Sequence, residues 1–162
     1  MELQPQGEHL KLPPGYGNPS KRLVWETVSK KLHEAQVYWF ATTRPDGRPH
    51  VVPRDGIWLD DQLFYGGSAE TVHHRNVEFN GAAAAHIGDG QEAIIVEGVV
   101  TVEIPAPDLA KRLADATTAK YPQYGKAESS AYKDGVWVLR PGKVMAWTSL
   151  PVDATRFVFE GH

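Results

Sequence analysis

The chain contains no cysteine, which removes disulfides, thiolate zinc sites, iron–sulfur clusters and a cysteine nucleophile together. An excess of positive charge is missing too: 17 Lys and Arg stand against 20 Asp and Glu, the formal net charge is -3 and the pI is near 6.1. No basic cluster interrupts that balance, so a polyanion finds no electrostatic footprint and nucleic acid is not expected as a partner. Long hydrophobic runs are also lacking. The N-terminus, MELQPQGEHLKLPPGYGNPSKR, has no charged start followed by an apolar segment, and nothing later approaches the ~20 apolar residues of a membrane-spanning helix. A soluble, cytoplasmic protein with no membrane partner is the expectation. Three motifs are absent as well: a serine nucleophile elbow, a phosphate loop and a Rossmann glycine pattern, since Gly66-Gly67-Ser68 lacks the required spacing. If the chain is an enzyme, a bound cofactor carries its reaction.

What is present begins with the stretch from Val37 to Asn76. Val37–Thr42 is apolar and β-branched or aromatic, Arg44-Pro45-Asp46-Gly47 supplies a turn, and Arg48–Pro53 runs out again as a hairpin. Ile57-Trp58-Leu59 and Leu63-Phe64-Tyr65 flank Asp60-Asp61-Gln62 as a second hairpin. Ser68 is placed to cap a helix that holds Glu70 in its first turn and ends at Asn80-Gly81. Upstream, residues 1–19 read as a Pro- and Gly-rich arm. From Ser20 the residues Leu23, Val24, Val28, Leu32 and Ala35 give a helix with one apolar stripe. Downstream come a short alanine-rich strand, Ala82–Ile87, and the strongly β-prone run Glu92–Ile104, in which Gly98 marks a bulge or bend. A helix over Ala106–Tyr121 follows. Two strands, Gly135–Leu139 and Val144–Trp147, are separated by Arg140-Pro141-Gly142-Lys143, and Thr155–Phe159 makes the last. About eight strands joined mostly by tight turns, with three helices, indicate a mainly β (α+β) architecture. The expected fold is a small antiparallel barrel flanked by helices, in a single domain over 20–162.

The hairpin TTRPDGRPHVVP, the LFYGGS that leads into a helix with RNV, the strand IIVEGVVTVE and the late AW and TRF resemble the pyridoxamine 5′-phosphate oxidase-like split β-barrel family, over roughly residues 21–159. The resemblance implies a homodimer with two cofactor sites at the subunit interface, binding FMN or the deazaflavin F-420. It implies an oxidoreductase acting on a small unsaturated organic substrate. The alternative is a binding module that sequesters FMN, F-420, haem or another planar ligand without turnover. Trp58, Phe64, Trp137 and Trp147 exceed what a small barrel interior readily holds, which also points to a homodimer.

The family holds its cofactor phosphate with an Arg on the strand after the DG turn and with a basic run at the start of the following helix. Here Val52 occupies the first position and Thr71-Val72-His73 the second. Ser68 and Thr71 keep hydroxyls, the helix N-terminus offers N–H groups, and Arg54 or Arg75 stands in for the missing cations. Trp147 and Arg156 resemble the late Trp and Arg that border the flavin, although Trp147 serves equally as barrel core and Arg156 as a surface charge. His50 shares a strand face with Arg54, looking into the groove or into solvent. Asp55 reads as a functional acid or as a surface ion pair with Arg54. His73 and His74 are adjacent rather than four residues apart, which is not the spacing of a two-His metal site.

Overall fold

The computed structural model describes residues 4–160; residues 1–3 of the arm and 161–162 at the end of the expected domain lie outside the described residues. In chain order the elements are β1 (Gly7–His9), α1 (Trp25–Glu34), β2 (Tyr38–Thr43), β3 (Pro49–Arg54), β4 (Ile57–Leu59) and β5 (Gln62–Tyr65). Then come α2 (Val72–Phe79), β6 (Ala82–Gly88), β7 (Ala93–Glu103), α3 (Pro107–Lys120), β8 (Val136–Trp147) and β9 (Thr155–Val158). The strands form one antiparallel sheet in the order β1-β9-β8-β7-β6-β2-β3, with β5 joining β8 and β4 pairing β5. This is the expected antiparallel barrel with three flanking helices.

Alternation along the strands decides which face is dry. Phe40, Ala85, Val96, Val144 and Phe157 point into one core and meet Trp25, Val28 and Leu32 of α1. Each such apolar side chain contributes roughly 1.5–3 kcal/mol on burial. A second cluster, Ile57, Phe64, Leu113, Tyr121, Val136 and Val138, lies where α3 covers β4, β5 and the start of β8. The hairpin between β4 and β5 turns on Asp60 and Asp61, both at positive φ. Asp tolerates that conformation better than most residues, and Asp61 accepts hydrogen bonds from Trp25 Nε1 at 3.0 Å and Ser29 Oγ at 3.2 Å. That locks α1 onto the hairpin.

Several expectations are corrected. The first helix starts at Trp25, not at Ser20, because the Ser20 and Lys21 N–H groups both donate to the Val152 carbonyl, and Leu23 N–H donates to Thr155 Oγ1. Those bonds hold the segment extended across the sheet; Trp25 replaces the exposed Val24 in the buried stripe. Residues 7–9 of the arm form β1 against β9. Helix α2 begins at Val72, so Glu70 is outside its first turn and Ser68 is not its cap. Residues 136–147 form one strand rather than two. The bulge lies on β8 rather than at Gly98 of β7: Pro141 pairs with Gly98 and Lys143 with Glu97, so Gly142 is the extra residue and Arg140-Pro141-Gly142-Lys143 bends β8 without reversing it. Trp58 and Phe64, 2% and 4% exposed, are buried within the single chain and leave no surface for a partner.

Candidate functional site

On β3, His50, Val52 and Arg54 share the face that lies opposite Thr42, Phe40 and Tyr38 of β2. Helix α2 packs over these two strands. Asn76 of α2 donates to Thr42 Oγ1 at 3.0 Å, which pins the helix above the pair. The chain enters α2 from β5 through Gly66-Gly67. Gly67 has a φ of 122°, and a Cβ there would stand 2.9 Å from Arg54 Nη2 and 3.4 Å from His74 Cε1. Only glycine lets this loop lie on both side chains. Arg54 Nη2 donates to the Gly66 carbonyl.

His74 is completely buried. Its Nδ1 lies 2.6 Å from the Ser68 carbonyl oxygen, which can only accept, so Nδ1 carries the proton and Nε2 holds a lone pair. Burial lowers its pKa, with the Ser68 carbonyl opposing and Arg54 reinforcing the shift. The imidazole stacks on Trp137 with ring centres 3.6 Å apart and planes 14° apart, and Tyr65 runs nearly parallel beside it at 5.5 Å. His73 is also buried, and burial first, then its neighbours His74 and Arg54, pull its pKa down to about 4. Both rings are kept neutral at pH 7.

Four polar atoms in this cluster are buried without a hydrogen-bond partner: Arg54 Nε, Tyr65 Oη, His74 Nε2 and Trp137 Nε1. Each such group costs roughly 1–3 kcal/mol, and native structures hold only a few per hundred residues. The other two found among the described residues are Trp147 Nε1 and Arg156 Nε. All six thus belong either to this cluster or to the two late residues that the family resemblance singled out.

The structure places the remaining candidates as follows. Thr71 Oγ1 donates to the Ser68 carbonyl at 2.9 Å and sits 3.4 Å from His73 Nε2. Ser68 is exposed, its Oγ accepting from Glu70 N–H at 3.2 Å. No side chain caps α2, so its first-turn N–H groups have no intrahelical acceptor. His50 Nδ1 faces Arg44 Nη2 at 3.3 Å, and its pKa is lowered first by burial and then by that arginine. Arg54, Ser68, Thr71 and His73 therefore gather around the start of α2, with His50 further along β3. Arg75 does not join them; with Arg44 and Arg48 it lines a separate cleft of about 440 Å³. Trp147 lines a narrow apolar cleft with Leu23, Val28 and Ile94, and Arg156 pairs with Glu8 at 2.6 Å. Asp55 turns to the Tyr124 hydroxyl, whose pKa it raises. No group of three or more potential metal ligands occurs among the described residues. Tyr65, His74 and Trp137 were not singled out from sequence as site residues. Tyr65 and Trp137 meet only through the β5–β8 pairing, which joins segments far apart in the chain.

No curated protein matches this sequence. Solved structures do share its fold. A conserved hypothetical protein from Mycobacterium tuberculosis superposes with a TM-score of 0.64 at 14% identity, over 77% of this chain and 84% of that one. A haem-binding protein from Mycobacterium smegmatis gives 0.62 at 20% identity, over 80% of this chain but only 56% of that one. An F420 reductase gives 0.52 at 23% identity, over 82% and 98% of the two chains. A model of one family, described as pyridoxamine 5′-phosphate oxidase, matches residues 24–148. That span runs from the edge of α1 to just past β8 and holds every element of the Arg54 cluster, and on it the chain belongs to the pyridoxamine 5′-phosphate oxidase family.

Proposed function

We propose that the chain is an oxidoreductase that binds FMN or F-420 at the Arg54 cluster and acts on a small unsaturated organic substrate. The observation that carries this reading is the set of buried, unpartnered polar atoms, which falls on Arg54, Tyr65, His74 and Trp137 and on Trp147 and Arg156. The residues fit such a group. Flat aromatic rings offer stacking surface, and Arg54, Tyr65 and Trp137 provide donors beside one acceptor, His74 Nε2, which complements an edge that alternates carbonyl oxygens with an N–H. Arg54, the Thr71 hydroxyl and the free N–H groups of α2 are the residues that would hold the phosphate. When bound, the cofactor supplies hydride transfer. The chain's own residues orient the ring and exclude water. His73 and His74, held neutral, do not serve as acids at pH 7. Val52 and Thr71-Val72-His73 replace the family's cations, and a hydrogen bond to a charged group contributes roughly 1.5–3 kcal/mol, so phosphate affinity rests mainly on Arg54.

A second reading has its own support. His74 Nε2 is neutral, unprotonated and unpartnered, the state in which imidazole ligates iron, so the chain as a non-catalytic module for haem or another planar ligand is the alternative. The visible spectrum of the purified protein, followed by single-turnover reduction with FMN or F-420 restored, separates the two. For the oxidoreductase, His50→Ala and His73→Ala should keep most of the single-turnover rate at full cofactor occupancy. A bound chromophore that is never reduced or reoxidised by substrate would leave the binding module.

A further inference from the structure

On the far side of β5 from His74, a cavity of about 190 Å³ lies between the second apolar cluster and the two 3-10 turns at Pro122–Tyr124 and Ser129–Tyr132. Its floor is Ile57, Phe64, Leu113 and Val136; its walls include Tyr121, Tyr124 and Tyr132, and Asp55 stands in the lining. Two of the three phenol hydroxyls are already committed. Tyr121 Oη accepts from Gly56 N–H at 3.0 Å and lies 2.9 Å from the Gln36 carbonyl. Tyr132 Oη is 2.9 Å from Thr117 Oγ1, and the Asp55 carboxylate beside Tyr124 raises the pKa of that phenol. What the cavity offers is therefore aromatic ring and aliphatic surface, with one carboxylate. Asp55 takes part in none of the ion pairs among the described residues.

The nearest lysine does not fill the space. Lys120 Nζ donates to Tyr38 Oη at 2.9 Å and to the Gly56 carbonyl at 3.0 Å, and it lines a different cleft with His33, Glu34 and Trp58. It does stand 5.7 Å from the Tyr121 ring centre, so that ring already lies within cation–π range of one charge. An aromatic face carries negative potential, and several faces with a carboxylate make a recess that favours positive charge over a neutral group of the same shape. Because the Tyr121 and Tyr132 hydroxyls are taken, a cation that needs few hydrogen bonds fits better than a primary ammonium. At ~30 Å³ per water, the recess has the space of about six waters, enough for a trimethylammonium group.

We propose that this recess is a second ligand site, taking a small methylated organic ammonium ion against Tyr121, Tyr124 and Tyr132 with Asp55 as counter-charge. The recess shares Tyr65 and Gly66 of its lining with the Arg54 cluster, but the site needs no cofactor. Calorimetric or NMR titration of the full chain with choline and tetramethylammonium, beside the neutral isostere 3,3-dimethylbutan-1-ol, tests it. Saturable binding of the cations is expected, at least tenfold tighter than of the alcohol. Asp55→Asn, at a solvent-exposed position, should erase most of that difference, and Tyr124→Leu, at an exposed rim position, should weaken the cations about threefold or more. Equal affinity for cation and alcohol, an unchanged preference in Asp55→Asn, or no saturable binding of either cation would each overturn the proposal.

Discussion

His73 is buried away from water yet titrates in an accessible range. Its pKa falls from 6.5 to about 4, chiefly through burial. Between those values the unfolded chain binds a proton that the folded chain does not, so stability rises with pH across this window and is lost as pH falls through it. Urea unfolding of the wild type at pH 7 and pH 5 should therefore show a drop of which on the order of 1–2 kcal/mol disappears in His73→Gln. An identical pH dependence in the variant would mean that His73 does not titrate as its surroundings require. At this scale the sequence was partly legible. Arg54 could be placed by counting along the strand from the DG turn, and Thr71 by its position at the start of the helix after β5. His74 was not, because its role depends on the Ser68 carbonyl folding back onto Nδ1 and on Trp137 arriving from β8. The same limit applies to Ser68, whose hydroxyl looked like a helix cap and whose carbonyl is what the structure uses.

Among the elements, β7 and β8 set the curvature that brings β5 to Trp137. Their register shifts between Glu97 and Gly98, and a Cβ on Gly98 would overlap the Arg140 carbonyl oxygen. Gly98→Ala is expected to destabilise the fold by about 2–4 kcal/mol, or to prevent folding, because backbone on both sides must shift. Gly142→Ala, whose added methyl would meet nothing closer than the Glu97 carbonyl at 3.9 Å, should stay within roughly 0.5 kcal/mol of wild type. Equal unfolding midpoints for the two variants would remove the close approach of Gly98 to the β8 backbone from its structural role. Strands were the most readable part of the chain: alternation and turn residues placed β2 to β7 within a few positions. Helix starts were not, since backbone bonds from Ser20, Lys21 and Leu23 to distant residues override local helix propensity. Nor was the unity of β8, because Pro-Gly signals reversal unless it is taken up as a bulge within a continuous strand, as Gly142 is here.

For the molecule as a whole, the outer face of β2 and β3 exposes apolar side chains. Trp39 and Val51 are 44% and 53% exposed, and strand register groups them with Ala41, Pro53 and Ala84. We propose that a second copy covers this face, which would also let Trp147 and Arg156 complete a composite site. Light scattering at micromolar concentration should give about twice the 17.9 kDa chain mass; a mass of one chain would remove the dimer and the composite site with it. The central claim, that the Arg54 cluster holds a planar cofactor, is met most directly by titrating the purified chain with FMN, F-420 and haem while following absorbance and tryptophan fluorescence. Saturable binding of at least one is expected, with quenching of Trp137 and at least tenfold weaker binding of FMN or F-420 in Arg54→Ala. Binding of none of the three, or flavin and deazaflavin affinities that do not change in Arg54→Ala, would contradict it.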